Sequence, residues 1–301
     1  MWSRTTDLSL IRNGASVILS DYINDWYSEQ KLKGLVESTS CSYRRKVEAL
    51  LGDYPKPMEI DIKRYLTTKQ ECGISPGTIA NYIKAYRSFF GYLLERSLYN
   101  FNPRCLKIPK IRYKERRVPS DEDVSKLLNA VHNPVDKVAL LLLIDTGIRV
   151  TELATIKLKN INLEDANILV NGKGGKTRTV YLSEQTVEHI RSYTETLSGE
   201  YLFPSTRADA VLSHRSRHCF RERLYNLCKR ADIERISPHQ LRHYFATHTL
   251  SCGGDIKAVS QMLGHTDVGI TLKIYHHVSM QAIREMHAEY SPLQKLQRLV
   301  L

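Results

Sequence analysis

Apolar residues recur at helical steps along most of the chain. From Val17 to about Leu32, residues Ile18, Leu19, Tyr22, Ile23 and Trp26 fall on one helical face, and residues 1 to about 15 before them show little periodicity. A second helix, with Ser38 or Thr39 as its cap, carries Tyr43, Val47 and Leu50, and a short third covers Ile60 to about Leu66. Ser75-Pro76 then opens the strongest pattern. Ile79, Ile83, Tyr86, Phe90 and Leu93 line one face there, and Phe89 and Leu94 widen it. These four elements predict a helical domain over 15–101. Prolines at 103, 109 and 119 interrupt the next stretch, which reads as a linker over 102–119.

Periodicity resumes at Ser120, where Ser-Asp-Glu-Asp-Val predicts a capped helix start. Val138 to Ile144 is a continuous apolar run, read from its flanks as a buried helix. Asn167 to Val170 and the following Asn-Gly-Lys-Gly-Gly-Lys-Thr-Arg-Thr-Val-Tyr-Leu read as strand, glycine-rich turn and strand. Helices are expected over 183–197 and 216–231, the second with Phe220, Leu224 and Leu227 inward. Ser237-Pro238 starts another, with Leu241, Phe245 and Leu250 packed. Gly253-Gly254 separates it from a shorter one carrying Ile256, Val259, Met262 and Leu263. The expected fold is mostly α: an N-terminal helical domain, and a larger, mainly helical α/β domain over 120–290 with a small antiparallel sheet. Residues 291–301 form a leucine-bearing tail, read as exchanged between protomers.

Charge narrows the partner. The 301 residues carry 44 basic and 32 acidic side chains, a formal net charge of +12, which favours a polyanion. Seven of the basic residues lie between Arg104 and Arg117, against one acidic residue. The six cysteines form no close Cys-x-x-Cys pair, so no structural zinc is expected. The longest apolar run is too short to cross a bilayer, and the N-terminus lacks a signal-type pattern. A cytoplasmic protein without membrane contact is the expectation.

The chemistry concentrates near the C-terminus. His239 and Arg242 share a helix face at i and i+3, His243 follows, and His265 and Tyr275 come after a Leu-Gly turn. Arginine presents a planar fork of donors to phosphate, imidazole moves protons near neutral pH, and a tyrosine hydroxyl is a nucleophile where its anion is stabilised. Upstream, Arg149 follows Gly147-Ile148 at a turn with Glu152 one helical turn on, which alone reads as an ordinary ion pair.

The segments His-Gln-Leu-Arg-His-Tyr-Phe-Ala-Thr-His, Met-Leu-Gly-His-Thr-Asp and Ile-Tyr-His-His-Val together resemble the tyrosine recombinase (phage integrase) family, nearest its simple two-domain Xer-type members. The resemblance implies a core-binding domain followed by a catalytic domain. It places catalytic roles on Arg149, Lys173, His239, Arg242, His265 and Tyr275, with Glu152, Lys176 and His243 in support. The step from His265 to Tyr275 is ten residues where the family has nine, and Gly269-Ile270 is where the extra residue falls. Tyr244 and Tyr290 lie at unsuitable distances from the Leu-Gly-His stretch.

The resemblance implies a site-specific DNA recombinase that cleaves and rejoins strands through a 3′-phosphotyrosine, without cofactor, metal or ATP. Its partners would be double-stranded DNA bearing a recombination site, a tetramer of this chain on DNA (monomer or dimer when free), and an accessory protein. Its location would be the nucleoid. Arg44, Arg45, Lys84, Arg87, Lys110, Lys114, Arg116, Arg178 and Arg217 are candidate backbone contacts. A type IB topoisomerase and a non-catalytic DNA-binding regulator are the alternatives. A metal-dependent nuclease is disfavoured because no carboxylate cluster surrounds Glu152.

Overall fold

A computed structural model describes residues 18–110, 117–172, 175–205 and 214–264. The chain divides into two compact units, Met1–Lys114 and Glu115–Leu301.

The first unit is built on α4 (Pro76–Glu95), packed with α1 (Ile23–Leu32), α2 (Glu37–Asp53) and α3 (Glu59–Glu71). Ser75 caps α4, its Oγ accepting from the Thr78 N–H at 3.3 Å, with Pro76 as first helical residue. The apolar face of α4 is then wholly consumed by the core, with Ile79, Ile83, Tyr86, Phe89, Phe90 and Leu93 buried. Trp26 of α1 meets Phe89 edge-on at 5.2 Å between centroids, and its indole N–H donates to Ser88 Oγ at 3.2 Å. Leu94, expected to widen this face, is instead exposed.

Two boundaries differ from expectation. Helix α2 starts at Glu37 rather than behind Ser38 or Thr39, and the residue before it, Val36, is extended and makes no side-chain cap. A carboxylate in the first turn suits the positive helix end, and Glu37 also pairs with Lys31 at 3.0 Å. The start of the presumed linker belongs to the first unit. Pro103–Cys105 form a single 3-10 turn, Phe101 and Leu106 are buried in the core, and Arg87 Nε donates to the Leu106 carbonyl at 2.9 Å. These apolar side chains have the surface of α4 to cover, which an extended strap would leave bare. Lys114 and Arg116 lie outside the described residues.

The second unit surrounds α6 (Pro134–Thr146). Its run Val138 to Leu143 is buried throughout, because α8 (Glu184–Thr194), α9 (Arg217–Arg230) and α10 (Pro238–Ser251) pack around it. Helix α5 (Asp121–Asn129) begins with the expected box: Ser120 Oγ accepts from Asp123 N–H at 3.1 Å, and Asp123 accepts from Ser120 N–H at 3.4 Å. A three-stranded antiparallel sheet, in the order β1 (Ile161–Asn162), β2 (Asn167–Asn171), β3 (Thr177–Tyr181), flanks the helices. Register Asn167↔Tyr181 to Asn171↔Thr177 turns Ile168, Val170 and Val180 into the core. Gly172 N–H to Lys176 O at 2.7 Å closes the hairpin. Helix α7 (Val150–Ala154) follows α6 after a glycine, and α11 (Ile256–Leu263) packs on α10 through Phe245, Ala246, Leu250, Val259 and Leu263.

Candidate active site

Three turns bring the site together. Helix α6 ends at Gly147, whose φ of +59° reverses the chain and places Arg149 at the start of α7. A side chain at this position would collide with Phe245 Cδ1 at 2.5 Å, so left-handed backbone and close packing both demand glycine. Helix α10 opens with a second capping box: Ser237 Oγ accepts from Gln240 N–H at 3.3 Å, and Gln240 Oε1 accepts from Ser237 N–H at 2.9 Å. This fixes His239 in the first turn and Arg242 one turn later. Helix α11 ends at Gly264, again left-handed at φ +64°.

The C-terminal end of α11 is held by three guanidinium groups. Arg178 Nε donates to the Met262 carbonyl at 2.7 Å, an Arg242 terminal nitrogen to Leu263 O at 2.6 Å, and an Arg149 terminal nitrogen to Gly264 O at 3.2 Å. These are carbonyls that a helix end leaves without partners, and they carry the negative end of the helix dipole. Arg242 also donates to Gly147 O at 2.7 Å, so one side chain ties the ends of α6 and α11 together. Only 5% exposed, it is held by two of its five N–H donors. Burial first, then the nearby Arg149 and Arg178 charges, push its guanidinium down to about 9, still charged at neutral pH.

Glu152 is the counter-charge. Its carboxylate, 4% exposed, accepts from both Arg178 terminal nitrogens at 3.0 and 2.8 Å, from the Arg149 side chain at 2.9 Å and from the Arg149 backbone N–H at 2.8 Å. Burial alone would raise this carboxyl. The Arg178 fork and the Arg149 donors overcome that and hold it below the usual carboxylate value. Three cations around one carboxylate leave the cluster with excess positive charge. The plain i,i+3 reading of Arg149 and Glu152 is therefore incomplete.

Arg149, His239 and Arg242 line one cleft of about 560 Å³. His239 and His243 meet edge-on at 4.6 Å between ring centroids on α10. Lys173, His265 and Tyr275, assigned by motif, lie outside the described residues. Tyr244, the weaker tyrosine candidate, donates its hydroxyl to Asp121 at 2.8 Å, and burial with that carboxylate pushes it up to about 12. Among the described residues, no three histidine, cysteine or carboxylate side chains come together as metal ligands.

The expected DNA contacts separate. Arg45, Lys84, Lys110, Lys176 and Arg217 are exposed. Arg44 pairs with Glu48 at 2.7 Å, and Arg87 is engaged by the carbonyls of Leu106 and Arg104. Arg178, expected to face an incoming backbone, is instead 13% exposed, with its terminal nitrogens on Glu152 and its Nε on the Met262 carbonyl, which makes it a structural partner of the site. Arg215 and Arg223, on the arginine-rich stretch at α9, likewise turn inward, to Pro204 O and to Asp136. Two further arginines line the cleft: Arg221 belongs to the arginine-rich helix whose charge suits DNA, and Arg235 carried no mark in the sequence beyond its charge.

A family model described as the phage integrase family matches residues 117–282. A tyrosine recombinase XerD of Yersinia pestis is 33% identical over 285 residues, covering 86% of this chain and 93% of the relative. The crystal structure of a XerA recombinase is 28% identical with a TM-score of 0.52, over 91% of this chain and 99% of that one. The Tn1549 transposon integrase, solved with a circular intermediate DNA, shares the fold at a TM-score of 0.70 and 17% identity, over 89% of this chain and 99% of that one. The chain belongs to the phage integrase family, the tyrosine recombinases, and is a site-specific DNA recombinase.

Proposed function

We propose that the cleft of the second unit receives the scissile phosphate of a DNA strand between Arg149 and Arg242, and that Tyr275 attacks its phosphorus. The convergence of these two arginines on one cleft, 93 positions apart in the chain yet both bonded to the last turn of α11, carries the reading. Among the described residues each uses two of its five side-chain N–H donors on the protein. Cationic donors held in place by the fold stabilise charge that grows on the nonbridging oxygens without having to reorganise.

Attack by the Tyr275 oxygen forms a P–O bond, the P–O bond to the 5′-oxygen breaks, and Lys173 gives that oxygen its proton. His239 takes part in removing the phenol proton, His265 holds the phosphate, and Glu152 and His243 orient the cationic groups. The product is a 3′-phosphotyrosine and a free 5′-hydroxyl. The hydroxyl of a second strand then reverses the step, so the phosphodiester energy is conserved and neither ATP nor a metal is required. Two rounds of exchange between duplexes need four protomers, which the charged surface would assemble on DNA. Chromosome dimer resolution of Xer type and integration or excision of a mobile element use the same steps, and the XerD-named relatives favour the first.

The test is capture of the covalent intermediate. The parent protein, incubated with fragmented genomic DNA nicked to trap cleavage, is expected to yield a protease-resistant tyrosyl–DNA adduct at Tyr275. Tyr275→Phe should bind DNA equally and give none. An adduct at parental yield from that variant would remove Tyr275 from the reaction.

A further inference from the structure

The cleft is larger and more basic than a single phosphate requires. Its 560 Å³ lies in the range that encloses a drug-sized ligand, about 300–1,000 Å³, whereas a phosphodiester phosphate is one phosphorus and its oxygens. Beyond Arg149, His239 and Arg242 it is lined by Arg221, Arg235 and Ser237, and no acidic side chain is among the described residues of its wall. The proposed chemistry uses neither of the two additional arginines.

Their placement suits a run of backbone. Arg221 is exposed on the first half of α9, and Arg235 is exposed just ahead of the α10 cap at Ser237. Arg235 lies over the Tyr225 ring at 4.7 Å, which restricts its side chain at the edge of the cleft. The start of α10 adds the partial positive charge of a helix N-terminus on the same side as Ser237 and His239. A DNA strand carries a charge at every nucleotide, so one phosphate seated between Arg149 and Arg242 brings its neighbours along the same wall.

We infer that Arg221 and Arg235 form a second phosphate subsite, which grips the backbone phosphates flanking the cut and sets the register of the strand without acting on the reacting atoms. This rests on the reading of the cleft as the seat of the scissile phosphate. It makes the two arginines positioning residues whose removal weakens binding uniformly across sequences.

The experiment measures binding of the full chain to a random-sequence 30-base-pair duplex, by fluorescence anisotropy across a salt series. Each phosphate contact contributes about −0.9 to the slope of log K against log salt. The Arg221→Gln/Arg235→Gln double variant is therefore expected to show a slope shallower by about 1.8. A charge-matched control, Lys159→Gln/Arg191→Gln, removes two exposed cations that do not line the cleft, and should stay close to the parent. Unfolding curves verify that both variants keep the parental fold. A parental slope in the cleft variant overturns the subsite. An equal flattening in both variants does so too, because general charge would then explain it. Adduct formation by the same proteins on trapped genomic sites supplies the second readout: the cleft variant should need more protein than the parent or the control to reach half-maximal adduct, and an unchanged half-maximal concentration would overturn the proposal, as would a loss of about a hundredfold or more at saturating protein, which would move these arginines onto the reacting phosphate. Failure of the Tyr275→Phe experiment would refute the reaction assignment while leaving the salt slopes to be read by themselves.

Discussion

Removing Arg178 should unsettle the second unit more than removing any exposed arginine, and by an amount that depends on pH. Arg178→Ala takes two charge-assisted bonds from a carboxylate that is 4% exposed, and one bond from the Met262 carbonyl. Breaking a buried pair by deleting one partner costs about 3–5 kcal/mol. Arg149 remains on Glu152 through its side chain at 2.9 Å and its backbone N–H at 2.8 Å, which places the expectation near the lower end, about 3 kcal/mol. In a unit of this size that corresponds to a fall in melting temperature of about 6–12 °C. In the parent, Glu152 titrates below its usual value, so its contribution is present above the ordinary carboxylate range and is lost as pH falls through the lowered folded value. Without Arg178, burial, already the largest single influence, is opposed by Arg149 alone and raises the carboxyl relative to the parent. The penalty should then be full at neutral pH and shrink on acidification, as a protonated Glu152 no longer needs a counter-charge. Urea unfolding of parent and variant at pH 7 and near pH 4 measures both. A loss under about 1 kcal/mol at pH 7, or an equal loss at both pH values, would refute the view that Arg178 neutralises a buried carboxylate.

Other substitutions probe the remaining parts. Arg242→Ala should lower single-turnover adduct formation by about 10²–10³-fold, as for loss of one preorganised donor to a developing oxyanion; a rate within a few-fold of the parent would argue against the phosphate clamp. Tyr244→Phe removes a hydroxyl bonded to Asp121 and should cost about 1 kcal/mol of stability while leaving adduct yield unchanged, and loss of the adduct in a folded variant would make Tyr244 a contender for the nucleophile. Gly147→Ala combines a left-handed backbone with a contact of 2.5 Å to Phe245, for an expected loss of about 2–4 kcal/mol by thermal unfolding. Parental stability there would mean that Phe245 yields freely.

The elements legible in the sequence are those whose signals are local. The cap at Ser120 and the Ser237-Pro238 start are written in adjacent residues, and the α4 stripe repeats every turn, so neither signal depends on what packs against it; that Gln240 closes a box on Ser237 emerged only in the structure. The α2 start was misplaced because Ser38 and Thr39 match a statistical cap preference, while the actual first turn draws on Glu37 and its pairing with Lys31 across a bend. The linker boundary failed for a related reason: prolines mark a break in regular structure, but they do not say that Leu106 will fold back onto α4.

The site shows the same division at closer range. The motifs name Arg149, His239 and Arg242, and local spacing puts the last two on one helix face, yet nothing local joins Arg149 to α10. That link is made by the carbonyls of residues 262–264, each of which accepts from a different arginine, and main-chain oxygens leave no trace in a sequence. Arg178 suffered most from this. On a strand beside two lysines it looked like one more cation for DNA, because Glu152, 26 positions away, becomes its partner only when the sheet closes against α7. The argument runs the other way for Arg221 and Arg235: once Arg178, Arg215 and Arg223 are withdrawn into ion pairs and carbonyl contacts, the cations that still line the cleft are few enough to be assigned individually, and the net positive charge of the chain no longer has to be spread evenly over its surface.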